Sequence, residues 1–295
     1  MPDPFSFVVN FIFSGYASIA PTVVCCSSSL NFPLTSLYIY SIIYTVILWE
    51  SGVICVIDIH CHILYGVDDG ADTLAESIEM AKMAYRNGTR VIAVTPHSNT
   101  PGSRHNFWND GLKERFLEVK NAVKEAGIPL QILSGQEIFA KGEVAELLKN
   151  GDLITLNGSR YPLIEFPFKE RSENVFKKLE SVIAEGYVPI VAHPERYEFV
   201  TENFDSLIKI QKMGCLLQIN TGSLEGNFGR GAKANAKKML NHHAVHVVAS
   251  DAHSPYMRTP VLGDAHEYIS ENYSTDFADR LLLKNPKAIL ENKTI

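Results

Sequence analysis

Two histidines, one residue apart, end an apolar run at Ile57-Asp-Ile-His-Cys-His62. Side chains alternate along an extended strand, so His60 and His62 share a face and Cys61 points the other way. Such a pair is a two-toothed ligand for a cation. Asp251 and His253, in Ser250-Asp-Ala-His253, repeat the arrangement. Other residues of the same chemical type follow apolar runs: His97 in Thr95-Pro-His97, Glu137 in Gly135-Gln-Glu137, Glu165 in Glu165-Phe-Pro167, and His193 in Ala192-His-Pro-Glu-Arg196. Asp68 and Asp69 lie on the loop after the first run, placed to close over the same site from above. Imidazole and carboxylate together suit Mn, Fe, Zn or Co. The set exceeds the needs of one ion, and a carboxylate bridging two or three ions is the economical reading.

Each signal alone has a plainer reading. A histidine or glutamate after a strand is most often an ordinary loop residue. Cys61 reads as a small core hydrophobe. His242, His243 and His246 read as surface or helix-end histidines rather than ligands, and His105 and His266 as solvated. What carries weight is coincidence at successive strand ends. Arg196, within a turn of His193, and Arg258, on the loop after His253, add planar guanidinium forks that pair well with phosphate oxygens.

The elements that must position these residues are legible in the periodicity. Seven strands are expected, at Val53–Ile59, Arg90–Thr95, Leu130–Ser134, Tyr161–Phe166, Val188–Ala192, Cys215–Asn220 and Val245–Ser250. Helices are expected between them, at Thr73–Asn87, Asn109–Ala126, Glu143–Asn150, Glu173–Glu185, Phe204–Met213, Ala232–His242 and Val261–Asn272. The first opens on a capping box, Thr73-Leu-Ala-Glu76, runs through Leu74, Ile78, Ala81 and Tyr85, and meets Gly88 at its C-terminal end. Alternating strand and helix implies a parallel sheet. Continuous apolar strands imply a sheet covered on both faces or closed into a barrel. In such folds the C-terminal strand ends converge on one face. Six of the seven expected strands deliver imidazole or carboxylate there.

The chain has 295 residues, 46% hydrophobic and 20% charged, with a net charge of −6. That balance argues against a nucleic-acid or anionic-membrane binder, which needs a basic face. Its five cysteines form no Cys-x-x-Cys pair and read as reduced thiols of a cytoplasmic protein. Residues 53–295 read as one domain. Residues 1–52 are an apolar N-terminal extension without Lys or Arg. They fit a poor membrane anchor, an extra element packed on the domain, or a falsely extended start with initiation near Val53. The last reading is favoured, because the run Ser36–Trp49 is short for a span and lacks basic flanks.

Taken together, Asp58-Ile-His-Cys-His62, Gly66-Val-Asp-Asp-Gly-Ala71, Thr95-Pro-His97, Gly135-Gln-Glu137, Glu165-Phe-Pro167, Ala192-His-Pro-Glu-Arg196 and Ser250-Asp-Ala-His253 resemble the polymerase-and-histidinol-phosphatase (PHP) superfamily. Within it they resemble the metal-dependent protein-tyrosine phosphatases of bacterial capsule and exopolysaccharide operons, the CpsB/CapC type. The resemblance runs from about Ile57 to the C-terminus with every motif in order. Tyr65 departs from it, standing where such proteins often have proline.

The resemblance implies an α/β fold, a distorted seven-stranded (β/α)7 barrel of the PHP type, holding three divalent ions, usually Mn2+. It implies His60, His62, Glu137 and Asp251 at one ion, Glu137 bridging to a second held by Glu165 and His193, and Asp69, His97 and His253 at a third. Arg196 and Arg258 would grip phosphate. The implied substrate is a phosphotyrosine protein, a bacterial tyrosine kinase with a tyrosine-rich tail. Membrane contact would come only through that kinase or through residues 1–52. Alternatives are a small-molecule phosphatase of histidinol-phosphate type and a non-catalytic metal-binding regulatory module. No cysteine is followed at the Cys-x5-Arg spacing of thiol-dependent phosphatases.

Overall fold

The computed structural model describes residues 55–102 and 105–295. Residues 1–52, with the three readings of them, lie outside the described residues, as does the expected start of the first strand at Val53. The strands are β1 (Val56–Cys61), β2 (Thr89–Val94), β3 (His97–Ser98), β4 (Gln131–Leu133), β5 (Glu137–Phe139), β6 (Leu163–Glu165), β7 (Ile190–Ala192), β8 (Leu216–Asn220) and β9 (Val247–Ala249). They form parallel ladders in the orders β1-β2-β4 and β3-β5-β6-β7-β8-β9.

Seven strand positions were expected, and the extra two segments come from breaks. β3 follows β2 after Thr95-Pro96, and β5 follows β4 after Ser134-Gly135-Gln136. Proline has no N–H to give a ladder. The chain bridges the gap with single bonds: Thr95 N donates to Cys61 O (2.9 Å), and Glu137 N donates to Pro96 O (3.2 Å). Gly135 gives room at the second break, because a Cβ there would lie 2.8 Å from Leu156 Cδ2 and 3.1 Å from Val94 O. At the other margin, Cys61 makes a parallel bridge to Ala252. His62 N donates to Ala252 O and Asp251 N to His60 O, both at 2.8 Å. The strand positions thus follow sequence order, and the segment after β9 returns to β1.

Burial along β6 to β9 keeps the period of two that strands covered on both faces allow. Leu163, Ile190, Ala192, Leu216, Val247 and Ala249 pack in one core cluster. Ile164, Val191, Leu217, Ile219 and Val248 pack in another, against the surrounding helices. Glu165, Gln218 and Asn220 share the parity of the first set. One face of the sheet therefore turns from apolar to polar at its C-terminal end, where buried charge must find partners.

The helices are held by local signals. In the helix Leu74–Arg86, Thr73 Oγ1 accepts from Glu76 N (3.3 Å). Glu76 reaches back to Asp72 N (2.9 Å), one residue earlier than a capping box requires. Its buried stripe is Ser77, Met80, Ala81 and Ala84, rotated from the larger residues the periodicity picks out. Small side chains let the helix lie close on the sheet. Gly88, at φ 93°, ends it in the left-handed conformation. Short helices at Glu198–Glu202, Thr221–Glu225, Thr275–Asp279 and Asn285–Leu290 lie beyond the expected set. No helix among the described residues is long and apolar enough to cross a membrane.

Tyr197 ties two strand ends together. It is fully buried, its hydroxyl donates to Ala192 O (2.9 Å), and it accepts from Phe166 N (3.0 Å). Those two bonds fix the backbone beside Glu165 and His193. Tyr197→Phe removes the acceptor for a buried N–H, so it is expected to lower stability by about 1–3 kcal/mol. Urea denaturation measures this, and an unchanged midpoint would mean that the hydroxyl holds nothing.

Candidate metal centre

The strand ends bring all nine candidate ligands into one cluster. His60 and His62 meet through their Nε2 atoms at 3.2 Å, on the shared face that strand alternation requires. His60 Nε2 lies 3.2 Å from Glu137 Oε1 and 3.3 Å from Asp251 Oδ1. His62 Nε2 lies 3.3 Å from Glu137 Oε2 and 3.5 Å from Asp251 Oδ1. Glu137 also meets His193 Nε2 at 2.9 Å and His97 Nδ1 at 2.9 Å, so both of its oxygens are shared between imidazoles. Glu165 stands beside the same pair, 3.5 Å from His193 and 3.7 Å from His97. Asp69 Oδ1 lies 3.4 Å from both His97 Nε2 and His253 Nε2.

Eight of these nine donors fall into three overlapping groups: His62, Asp69, His97 and His253; His60, His62 and Asp251; and His97, Glu137 and Glu165. His193 stands outside these groups and joins the cluster through Glu137. Divalent ions of the Zn type hold N and O donors at about 2.0–2.2 Å, which sets neighbouring donors about 3.0–3.5 Å apart. The separations above match. Several buried donor atoms, namely His97 Nδ1, Glu137 Oε2 and His253 Nε2, meet only other candidate ligands, and none of those contacts has hydrogen-bond geometry. Buried polar atoms are almost always bonded. Lone pairs left over in this way, on imidazole and carboxylate alone, suit a cation.

The charges are finely opposed. Burial, then the charge of Glu137, pushes the Glu165 carboxyl up to about 8. Burial alone would favour neutral Glu137, but His60 and His97 hold it well below the usual carboxylate range. Burial likewise disfavours a proton on His97, yet Glu137 raises it to about 9. Burial and the charge of His62 hold His253 down to about 4. Glu165 is the carboxylate left short of positive charge, while the histidines and Arg258 hold Glu137 and Asp251 low; a mixture of opposed shifts in one buried cluster marks a functional site.

A supporting layer aims the ligands. Asp68 Oδ2 takes His62 Nδ1 (2.8 Å) and accepts from His97 N (2.8 Å). Its other oxygen accepts from Gly70 N (2.9 Å). Asp68 therefore orients two candidate ligands while Asp69 faces the cluster. Gln218 Oε1 takes His60 Nδ1 (2.9 Å), and its amide donates to Asn220 Oδ1 (2.8 Å). Asn220 donates to Asp251 Oδ2 (2.6 Å). Asp58 accepts from His60 N (3.2 Å) and Ser250 N (3.1 Å), tying β1 to the loop that carries Asp251. Gln218, Asn220 and Asp58 are absent from the sequence-derived set. Their signal was a polar side chain inside an otherwise apolar strand.

The two arginines converge on Asp251. Arg258 Nη2 lies 2.6 Å from Oδ2 and Arg196 Nη1 3.5 Å from it. Arg258 sits at φ 52° and Asp251 at φ 52°, a left-handed backbone that arginine seldom adopts. The loop is fastened by His253 N donating to Arg258 O (2.8 Å) and by Ser254 Oγ donating to Met257 O (2.7 Å), which turns Arg258 back toward the site.

The remaining histidines and cysteines lie elsewhere. His105, His242 and His243 are exposed, as expected. His246 is held low, to about 4, by burial, and its Nδ1 accepts from Leu217 N. His266 is not solvated: it is half-buried, with Nε2 2.9 Å from Asp279 Oδ1. Cys61 is wholly buried in a core cluster with Ile63 and Leu64, and burial pushes its thiol well up.

Gly70 lies against His62 so closely that a Cβ would come within 2.1 Å of His62 O and 2.9 Å of Asp68 Oδ1. Gly70→Ala is therefore expected to displace Asp68 from His62. Loss of an outer partner of this kind weakens metal binding roughly 10–100-fold. Metal retained after dialysis against a graded chelator reads the effect; wild-type retention would mean that the Asp68 contact does not orient His62.

A family model for capsular polysaccharide synthesis, CpsB/CapC, matches residues 56–291. Tyrosine-protein phosphatase YwqE of Bacillus subtilis is 37% identical over 242 residues, 81% of this chain and 93% of that protein. Tyrosine-protein phosphatase CpsB of Streptococcus agalactiae is 33% identical over 249 residues, 81% of this chain and 100% of that protein. A crystal structure from work on Bacillus subtilis YwqE and Streptococcus pneumoniae CpsB, called unique metal-dependent tyrosine phosphatases, superposes with a TM-score of 0.75 at 36% identity. It covers 81% of this chain and 96% of that one. An amidohydrolase from Mycoplasma synoviae superposes with a TM-score of 0.50 at 14% identity over 80% of this chain and 87% of that one, a likeness of fold alone. The family match takes in every candidate ligand and both arginines, and the chain belongs to the CpsB/CapC family of capsular polysaccharide synthesis proteins.

Proposed function

We propose that this protein is a metal-dependent protein-tyrosine phosphatase. The observation that carries the reading is the pairing of a nine-residue His/Asp/Glu cluster with two arginines on Asp251, in a chain 37% identical to a tyrosine-protein phosphatase. The ligand sets are His60, His62, Glu137 and Asp251 at one ion, Glu137, Glu165 and His193 at a second, and Asp69, His97 and His253 at a third. Manganese is the proposed occupant, since hard carboxylate oxygens and imidazole together suit it. The substrate is phosphotyrosine on a bacterial tyrosine kinase with a tyrosine-rich tail, and the setting is the cytoplasm. The free thiols of Cys55, Cys61 and Cys215 fit a reducing compartment.

When bound, the ions supply Lewis acidity that makes water a nucleophile near neutral pH and positive charge that offsets the phosphate's own. The chain's residues do the rest. Glu137, shared between His60, His62, His97 and His193, fixes the spacing of the ligand groups. Arg196 and Arg258, both held on Asp251, neutralise charge that builds on the equatorial phosphate oxygens. Because both guanidiniums are already anchored on Asp251, little reorganisation is needed when phosphate arrives. A phenolate leaves with pKa about 10, so it needs less proton help than an alkoxide.

Exhaustive chelation is expected to abolish hydrolysis of a phosphotyrosine peptide, with manganese restoring it and two to three ions bound per chain at roughly the stoichiometry of polymetal hydrolases. Full turnover by metal-free protein would end the model. Arg258→Ala and Arg196→Ala are each expected to lower kcat roughly 10²–10³-fold, with metal content unchanged. Loss of metal instead would assign them to assembling the centre. Phosphotyrosine peptide, phosphoserine peptide and histidinol phosphate, compared under one metal condition, decide the substrate: a higher kcat/KM for histidinol phosphate would move the protein to small-molecule chemistry.

A further inference from the structure

Arg196 is held between two aromatic rings. Its Cζ lies 4.5 Å from the ring centre of Phe168 and 4.2 Å from that of Phe228. Arg258 Cζ stands 5.4 Å from the same Phe228 ring. One ring thus borders both guanidiniums that reach Asp251. Stacking occupies the face of a guanidinium and leaves its N–H edge free for phosphate.

The seat of Phe228 is built into the backbone. A Cβ on Gly222 would come within 2.9 Å of Phe228 Cε2, so glycine at that position lets the ring lie close against the helix Thr221–Glu225. Exposure points the same way. Among the described residues the large hydrophobic side chains left exposed are Leu117, Phe168, Tyr256, Met257 and Ile295. Three of these five border the two arginines: Phe168 stacks on Arg196, and Tyr256 and Met257 directly precede Arg258. Scattered apolar exposure needs no explanation, but exposure gathered beside a charged site marks recognition. Phe228 is the wall shared by two open cavities. One, of about 550 Å³, is lined by Phe168 and Arg196; the other, of about 540 Å³, by Tyr256, Met257 and Arg258.

We infer that Phe228, with Phe168, recognises the ring of an aryl phosphomonoester. The phosphate lies on the N–H edges of Arg196 and Arg258, and the ring, a single ester oxygen away, packs on the apolar wall beside them. An alkyl phosphate such as phosphoserine has nothing to place there. This rests on the phosphatase reading and supplies the part of the site that separates tyrosyl from seryl phosphate.

The test uses phenylphosphonate and methylphosphonate, which are not turned over, so leaving-group reactivity plays no part. Calorimetry on the full-length, metal-loaded protein gives both affinities. Wild type is expected to prefer the phenyl compound. Phe228→Leu and Phe168→Leu keep apolar cover over Arg196 but lose the ring pair. Each is expected to cut the phenyl-over-methyl preference roughly 2–10-fold, the range for one aromatic pair, with methylphosphonate affinity nearly constant. Equal weakening of both ligands would show that the rings serve only to hold Arg196 and would overturn the inference, as would an unchanged preference or none in wild type. Phe168→Leu alters an exposed residue and keeps the question answerable if Phe228→Leu does not fold. Phenyl phosphate turnover by wild type, run alongside, separates the two levels: no turnover sinks the phosphatase reading, whereas turnover without a ring effect sinks only this inference.

Discussion

A single buried carboxylate faces two different neighbourhoods. Asp251 turns Oδ1 toward His60 and His62 and gives Oδ2 to Asn220, Arg258 and Arg196. A carboxylate removed from water without partners would cost several kcal/mol, so its surroundings are tightly constrained. Asn220 is itself fixed through its backbone N–H, which donates to Glu195 (3.0 Å), and Glu195 also accepts from Ser223 Oγ (2.7 Å). Asp58 anchors the residue before Asp251. The candidate ligand cluster and the guanidinium pair are thus coupled through two atoms of one side chain.

That coupling explains why the ends of the strands, rather than the helices, carry the chemistry. The fold is shared with an amidohydrolase at 14% identity, a likeness that says nothing of the residues. A parallel sheet guarantees that its C-terminal ends face one way; it says nothing of which side chains stand there. In this chain the identity comes from His60, His62, Glu137, Asp251 and the two arginines, and the sheet only assembles them.

Much of this was legible in the sequence because it rests on short-range rules. His60 and His62 share a face because alternation demands it. The helix Leu74–Arg86 starts at Thr73 and stops at Gly88 because capping is local. Candidate ligands at the ends of β6, β7 and β9 stand out because apolar runs point to them. What stayed hidden depends on contacts far apart in sequence. Gln218 and Asn220 read as ordinary polar residues until β8 is set beside β1 and β9. Asp58 sits two residues from His60, but its work lies at Ser250, 192 residues away. The breaks inside the second and third strand positions could not be placed, since Pro96 signals an interruption without saying that pairing resumes at His97. Phe228 carries no mark in its own neighbourhood of what it stacks upon.

Cys61 lies between two candidate metal ligands, yet it is fully enclosed, and burial holds it in the protonated form. Cys215 is buried and raised to about 12, and Cys55 is raised as well. Oxidants attack thiolates, and accessible ones first. Phosphatases that use a cysteine nucleophile are silenced reversibly by peroxide for that reason. A catalyst built on imidazole and carboxylate has no such sulfur to lose. Peroxide finds no thiolate among its candidate ligands, so the thiol route to inactivation is closed.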